Sequence, residues 1–65
     1  MTNRFSLIGI DGNAYAVMGY VASCMKKVGY SKSEIDSYHQ RATSSDYDNL
    51  LFVSQEQIEE CNSKL

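Results

Sequence analysis

An apolar stripe near the start of the chain constrains the fold more than any other feature. Ala14, Val17, Met18, Val21, Met25 and Val28 recur at the spacing of one face of an α-helix. End signals bracket the stripe. Asp11 or Asn13 stands where a side chain can accept from the free N–H groups of a first turn. Lys26 and Lys27 fall in the last turn, where the helix dipole favours cations, and Gly29 follows as a residue able to turn left-handed. A helix over about 13–28 is expected, with Tyr30 folded back against Met25. Its other side carries Ala16, Gly19, Ala22 and Ser23. Glycine inside a helix costs up to ~1 kcal/mol relative to alanine, so Gly19 predicts a close approach by another helix or a second copy.

Two more helices follow. Ser31-Lys32-Ser33-Glu34 reads as a capping box, with Tyr30 and Ile35 as a hydrophobic staple, and opens a helix over about 32–42 that turns Ile35, Tyr38 and Ala42 inward. Ser44 or Ser45 can cap the last helix, about 46–61, with Asp46 and Asp48 in its first turn. Tyr47, Leu50, Leu51, Ser54, Ile58 and Cys61 continue at helical spacing, leaving Phe52 and Val53 partly outside the stripe. The competing reading makes residues 50–53 a strand, with Ser54-Gln55-Glu56-Gln57 capping a final short helix. One helix is preferred because the stripe runs through Ser54 without a phase shift.

Ahead of the helices, Phe5-Ser6-Leu7-Ile8-Gly9-Ile10 reads as a short strand, with Phe5, Leu7 and Gly9 on one side and a turn at Asp11-Gly12. The expected fold is mainly α: a three-helix unit preceded by one short N-terminal β-strand, in a single domain over 1–65. A chain of 65 residues buries only ~60% of the surface it exposes unfolded. A lone strand cannot satisfy its own backbone groups, so either Ser63-Lys64-Leu65 pairs with it or a second subunit does. Phe5, Leu7, Gly19, Phe52 and Val53 are the expected interface residues of a homo-oligomer, most simply a dimer.

Charge narrows the partners. Residues 1–43 carry Arg4, Lys26, Lys27, Lys32 and Arg41 against Asp11, Glu34 and Asp36; residues 44–65 carry Asp46, Asp48, Glu56, Glu59 and Glu60 against Lys64. The basic stripe of a nucleic-acid binder is missing, and a helix-turn-helix built on the last two helices would meet phosphates with Asp46 and Asp48. The acidic end could instead mimic nucleic acid or meet a basic partner. Cys24 and Cys61 stand alone without a C-x-x-C, and His39 is the single histidine, so no metal site is expected. Two free thiols in a reducing compartment are expected, with a Cys24–Cys61 bridge as the alternative for a secreted protein. Neither a membrane span nor a secretory signal is expected. Catalysis is not expected: His39 lacks an orienting partner, Cys24 sits mid-helix, and Asp46 and Asp48 suit a helix start.

A small-ligand site is conceivable at the first helix start. The N–H groups of Gly12, Asn13 and Ala14 have the geometry to hold phosphate; Tyr15, Tyr20 and Tyr47 could stack on a base, and Arg4, Lys26 or Arg41 could meet phosphates. Asp11 opposes an anion there and can cap the helix itself, which leaves a plain helix start as the competing reading. No cofactor is expected.

The segments Leu7-Ile8-Gly9-Ile10-Asp11-Gly12-Asn13-Ala14-Tyr15-Ala16-Val17-Met18-Gly19 and Ala42-Thr43-Ser44-Ser45-Asp46-Tyr47-Asp48-Asn49-Leu50-Leu51 resemble a group of very short proteins from bacterial genomes, phages and prophages. Their shared pattern is L-I-G-x-D-G-N-A-x-A-x-M-G, then A-x-S-x-D-Y-D-x-L-L. The chain departs at Ser45, where glycine is frequent, and at Asn49, where histidine is. The resemblance implies no activity. It implies a phage-associated accessory protein in the bacterial cytoplasm, of the kind that blocks a host defence component or sequesters its nucleotide signal. A nucleic-acid-associated protein or a structural, assembly protein are the alternatives.

Overall fold

The computed structural model describes residues 4–65. Three helices follow one another: α1, Ala14–Lys27; α2, Lys32–Ala42; and α3, Tyr47–Ser63. Each begins where its cap dictates. The Asn13 side chain accepts from the Tyr15 N–H at 2.8 Å, and the Asp11 carboxylate accepts from the Asn13 N–H at 2.9 Å, so both proposed caps are used in series. Ser31 and Glu34 form the full capping box of α2. For α3 the cap is Asp46, which accepts from the Asn49 N–H at 3.0 Å, and not Ser44 or Ser45. The Ser44 hydroxyl instead donates to the Arg41 carbonyl at the end of α2, at 2.8 Å.

The end of α1 shows why Gly29 is there. Its φ of 96° lets the Gly29 N–H reach the Lys26 carbonyl at 3.1 Å and the Tyr30 N–H reach that of Met25 at 3.0 Å. This is a Schellman motif, and it turns the chain into α2.

The helices assemble up, down, up. The Tyr47 hydroxyl donates to the Gly12 carbonyl where α1 and α3 begin, and the Tyr30 hydroxyl donates to Glu60 at 2.9 Å near their far ends. Hence α1 and α3 run parallel and pack on each other, with α2 returning antiparallel alongside, chiefly against α3. The core holds Val17, Val21, Cys24 and Met25 from α1, Ile35, Tyr38 and Ala42 from α2, and Leu50, Val53, Ile58 and Cys61 from α3. Residues 50–53 lie within α3, not in a strand. Val53 is buried, contrary to its expected place outside the stripe; Leu51 is only half-buried, and Phe52 alone points out. The inward face of α3 also contains Ser54 and Gln57. Tyr38 and Ser54 share a buried hydrogen bond of 2.6 Å, which removes the cost of enclosing both hydroxyls.

The expected strand over residues 5–10 does not form; among the described residues there is no strand. Leu7–Ile10 makes a turn instead, closed by the Ile10 N–H on the Leu7 carbonyl at 3.2 Å, with Gly9 at φ 84°. Among the described residues no second extended segment lies beside it, and side chains supply what a neighbouring strand would. Asn62 accepts from the Phe5 N–H at 2.8 Å and donates back to the Phe5 carbonyl at 3.0 Å. The Ser6 N–H donates to the Tyr20 hydroxyl at 3.0 Å. Phe5 and Leu7 then pack half-buried on the chain's own core. An unpaired strand therefore gives no reason to require a second subunit.

Candidate functional site

The residues expected to gather around a ligand do not converge. Gly12, Asn13, Ala14 and Tyr15 sit together at the start of α1, but the caps already use the N–H groups of Asn13 and Tyr15. An anion would have to displace the Asp11 carboxylate. Tyr20 lies about 140° around the helix from Tyr15, half-buried and tied to Ser6. Arg4 is exposed beside Phe5, which is bound to Asn62. Asn62 is about 22 Å along α3 from Tyr47, the residue that contacts Gly12. Of the other cations, Lys26 is exposed at the end of α1, and Arg41 donates to the Gln57 side-chain oxygen at 3.2 Å.

Two exposed surfaces stand out instead. The first is the outer side of α1. Tyr15, Gly19 and Ser23 are exposed at i, i+4 and i+8, flanked by half-buried Ala16, Met18 and Ala22. Tyr15 is 81% exposed. A shallow, mainly apolar groove runs beside it between α1 and α2, lined by Tyr15, Met18, Gly19, His39, Gln40 and Thr43. The second surface is the outer side of α3. Phe52 is 64% exposed there. Asp48, Glu56 and Glu59 lie within about 40° of it around the helix, and all three are exposed.

Of the groups considered for catalysis, Asp48 is exposed in the first turn of α3 and the others have structural surroundings. The Asp46 carboxylate caps α3, and the His39 ring tilts against Tyr38 at 5.4 Å between centroids. Cys24 and Cys61 are free and buried, and burial pushes both thiols up, away from the reactive thiolate. Burial likewise raises the Tyr38 hydroxyl, and it raises Tyr30 to about 12 with help from the adjoining Glu60 carboxylate. Among the described residues no cluster of three His, Cys, Asp or Glu is placed to hold a metal, and no helix is long and apolar enough to cross a membrane.

The residues sequence reading missed are Gln57 and Asn62. Gln57 follows Leu50 by seven positions and so falls on the inward side of α3. That register was a usable signal. Nothing local marks Asn62, whose role depends on where Phe5 arrives. No protein-family model matches the chain, and no curated protein or solved structure matches it either.

Proposed function

We propose that the chain is a non-enzymatic accessory protein of the phage type, acting in the bacterial cytoplasm by binding and blocking a host factor through the outer side of α3. The observation that supports this is Phe52, a large apolar side chain left 64% exposed with carboxylates on either side of it. An aromatic anchor ringed by charge is the composition of an interface hot spot, where the apolar group supplies affinity and the charges supply steering. The partner surface that fits is basic, with an apolar pocket at its centre. A host protein that itself handles nucleic acid has such a surface.

Co-purification of the tagged full-length chain from bacterial cells tests the reading. One host protein should be retained in near-stoichiometric amount and released by raised salt. Phe52→Ala should lose it, and the double change Glu56→Lys, Glu59→Lys should weaken retention by at least about tenfold. A partner held equally well by all three chains would refute the assignment to α3. A second reading, sequestration of a host nucleotide signal, draws on the exposed ring of Tyr15 at the α1 groove. Calorimetry against cyclic and linear nucleotides tests it, and no heat with any of them removes it.

A further inference from the structure

We propose that residues 4–10 form a hinged strap that opens as a unit while the three helices stay packed, and that its opening is what brings solvent to the Cys24 thiol. This inference does not rest on the reading given for α3. It starts from how the strap is tied. At its far end the Asn62 side chain holds the Phe5 N–H at 2.8 Å and the Phe5 carbonyl at 3.0 Å, and the Ser6 N–H reaches the Tyr20 hydroxyl at 3.0 Å. At its base the Tyr47 hydroxyl pins the Gly12 carbonyl. Between these ends, among the described residues, the hydrogen bonds are local: Ile8 to Ser6, Ile10 to Leu7 and Asn13 to Asp11. The strap thus has a hinge, a latch and no ladder.

Opening the strap leaves the contacts between helices intact. No residue from 4 to 13 is buried, and only Phe5, Leu7 and Ile10 are half-buried. The side-chain bonds that join helices, Tyr38 to Ser54 and Arg41 to Gln57, and the bond from Tyr30 to Glu60, all lie outside it. Segments with few buried side chains and few backbone hydrogen bonds open at a free energy well below that of global unfolding.

What lies beneath the strap follows from its anchors. Tyr20 is on α1 and Asn62 on α3, so the strap crosses the seam between those two helices. The buried α1 residues Cys24, Val17, Val21 and Met25 stand about 40°, 60°, 100° and 140° around the helix from Tyr20. Cys24 is therefore the one nearest the strap, and it is 2% exposed. On α3, Cys61 stands about 100° around from Asn62, turned further into the bundle. Phe5 and Leu7 pack on the core cluster that holds both thiols. Two thiols in one core thus differ in access, Cys24 waiting on the strap and Cys61 on the helices. A soluble electrophile meets Cys24 while the helical unit remains folded.

Alkylation of the full chain by iodoacetamide at mildly alkaline pH tests this. Each thiolate displaces iodide to form an S–C bond and leaves its proton with the buffer, and mass spectrometry of the two cysteine peptides gives separate rates. In the wild type Cys24 should react at least about tenfold faster than Cys61, at a rate flat in urea below the unfolding transition, because local opening exposes little surface. Asn62→Ala removes the latch and should speed Cys24 by about tenfold. Tyr20→Phe, which keeps the ring and removes only the acceptor of Ser6, should speed it less. Ser54→Ala loosens helix packing away from the strap and should leave the Cys24 rate unchanged. Cys24 and Cys61 reacting together, at rates that climb steeply with urea, would overturn the proposal. So would a Cys24 rate indifferent to both Asn62→Ala and Tyr20→Phe, or one that Ser54→Ala raises as much as Asn62→Ala does.

Discussion

Along α1 the solvent side reads Tyr15, Gly19, Ser23, with no charge before Lys26; along α3 it reads Asp48, Phe52, Glu56, Glu59. Both helices bury comparable apolar sides against the same core, so the contrast owes nothing to what the core needs. It lies wholly in what each helix offers outward. The α1 side is neutral and built of small residues around Tyr15, whereas that of α3 sets a single aromatic among carboxylates. The chain thus presents two outward surfaces of different chemistry, one uncharged and one acidic.

The sharpest way to probe the contrast on α3 is to change adjacent residues in the same manner. Val53→Asp buries an unpaired carboxylate and should cost about 3–5 kcal/mol, enough to unfold a domain of this size. Phe52→Asp, one position earlier and outside, should stay within about 0.5 kcal/mol. Urea midpoints for the two variants decide it, and equal losses would mean that Phe52 is covered after all. A smaller effect follows from the polar pair between α2 and α3. Ser54→Ala strands the Tyr38 hydroxyl and should lower stability by about 1–3 kcal/mol in the same measurement.

The glycines give the next contrast. Gly19→Ala should raise stability by up to about 1 kcal/mol because alanine is the better helix former and space is open. Gly29→Ala should lower it by about as much, since a φ of 96° strains any side chain. The smallest effect is with pH. Burial, and then Glu60, favour the protonated Tyr30 in the folded chain, so its contribution is whole below the ordinary value of 10.0 and lost as pH rises through about 12. The thermal midpoint should begin to fall as pH passes about 9, through the buried Cys24 and Cys61 thiols, and fall further above pH 10, with Tyr30→Phe flattening only part of that later fall.

Much of this fold was legible in the chain. The three helices, the capping box at Ser31 and Glu34, and the turn at Gly29 rest on local chemistry, in which a side chain bonds to backbone three residues away or a glycine turns left-handed. Such signals need no knowledge of the rest of the molecule. The N-terminal strand misread a local pattern, because a strand exists only with a partner and the described residues supply none. The cap of α3 was missed by one residue because Ser45 and Asp46 are both capping types. Of the candidate ligand site, the positions Gly12 to Tyr15 were adjacent by sequence alone; Arg4 and Tyr20 were assigned to it without any local reason to converge.

Where helices begin and end, and which side of each is apolar, can be read along the chain, since periodicity and caps are short-range properties. Packing alone settled that Val53 goes in and Phe52 stays out, that Asn62 stands in for a strand against Phe5, and that no described residue covers Gly19. Those outcomes depend on which residues from distant parts of the chain meet, and packing three helices with a strap from the N-terminus fixes that all at once.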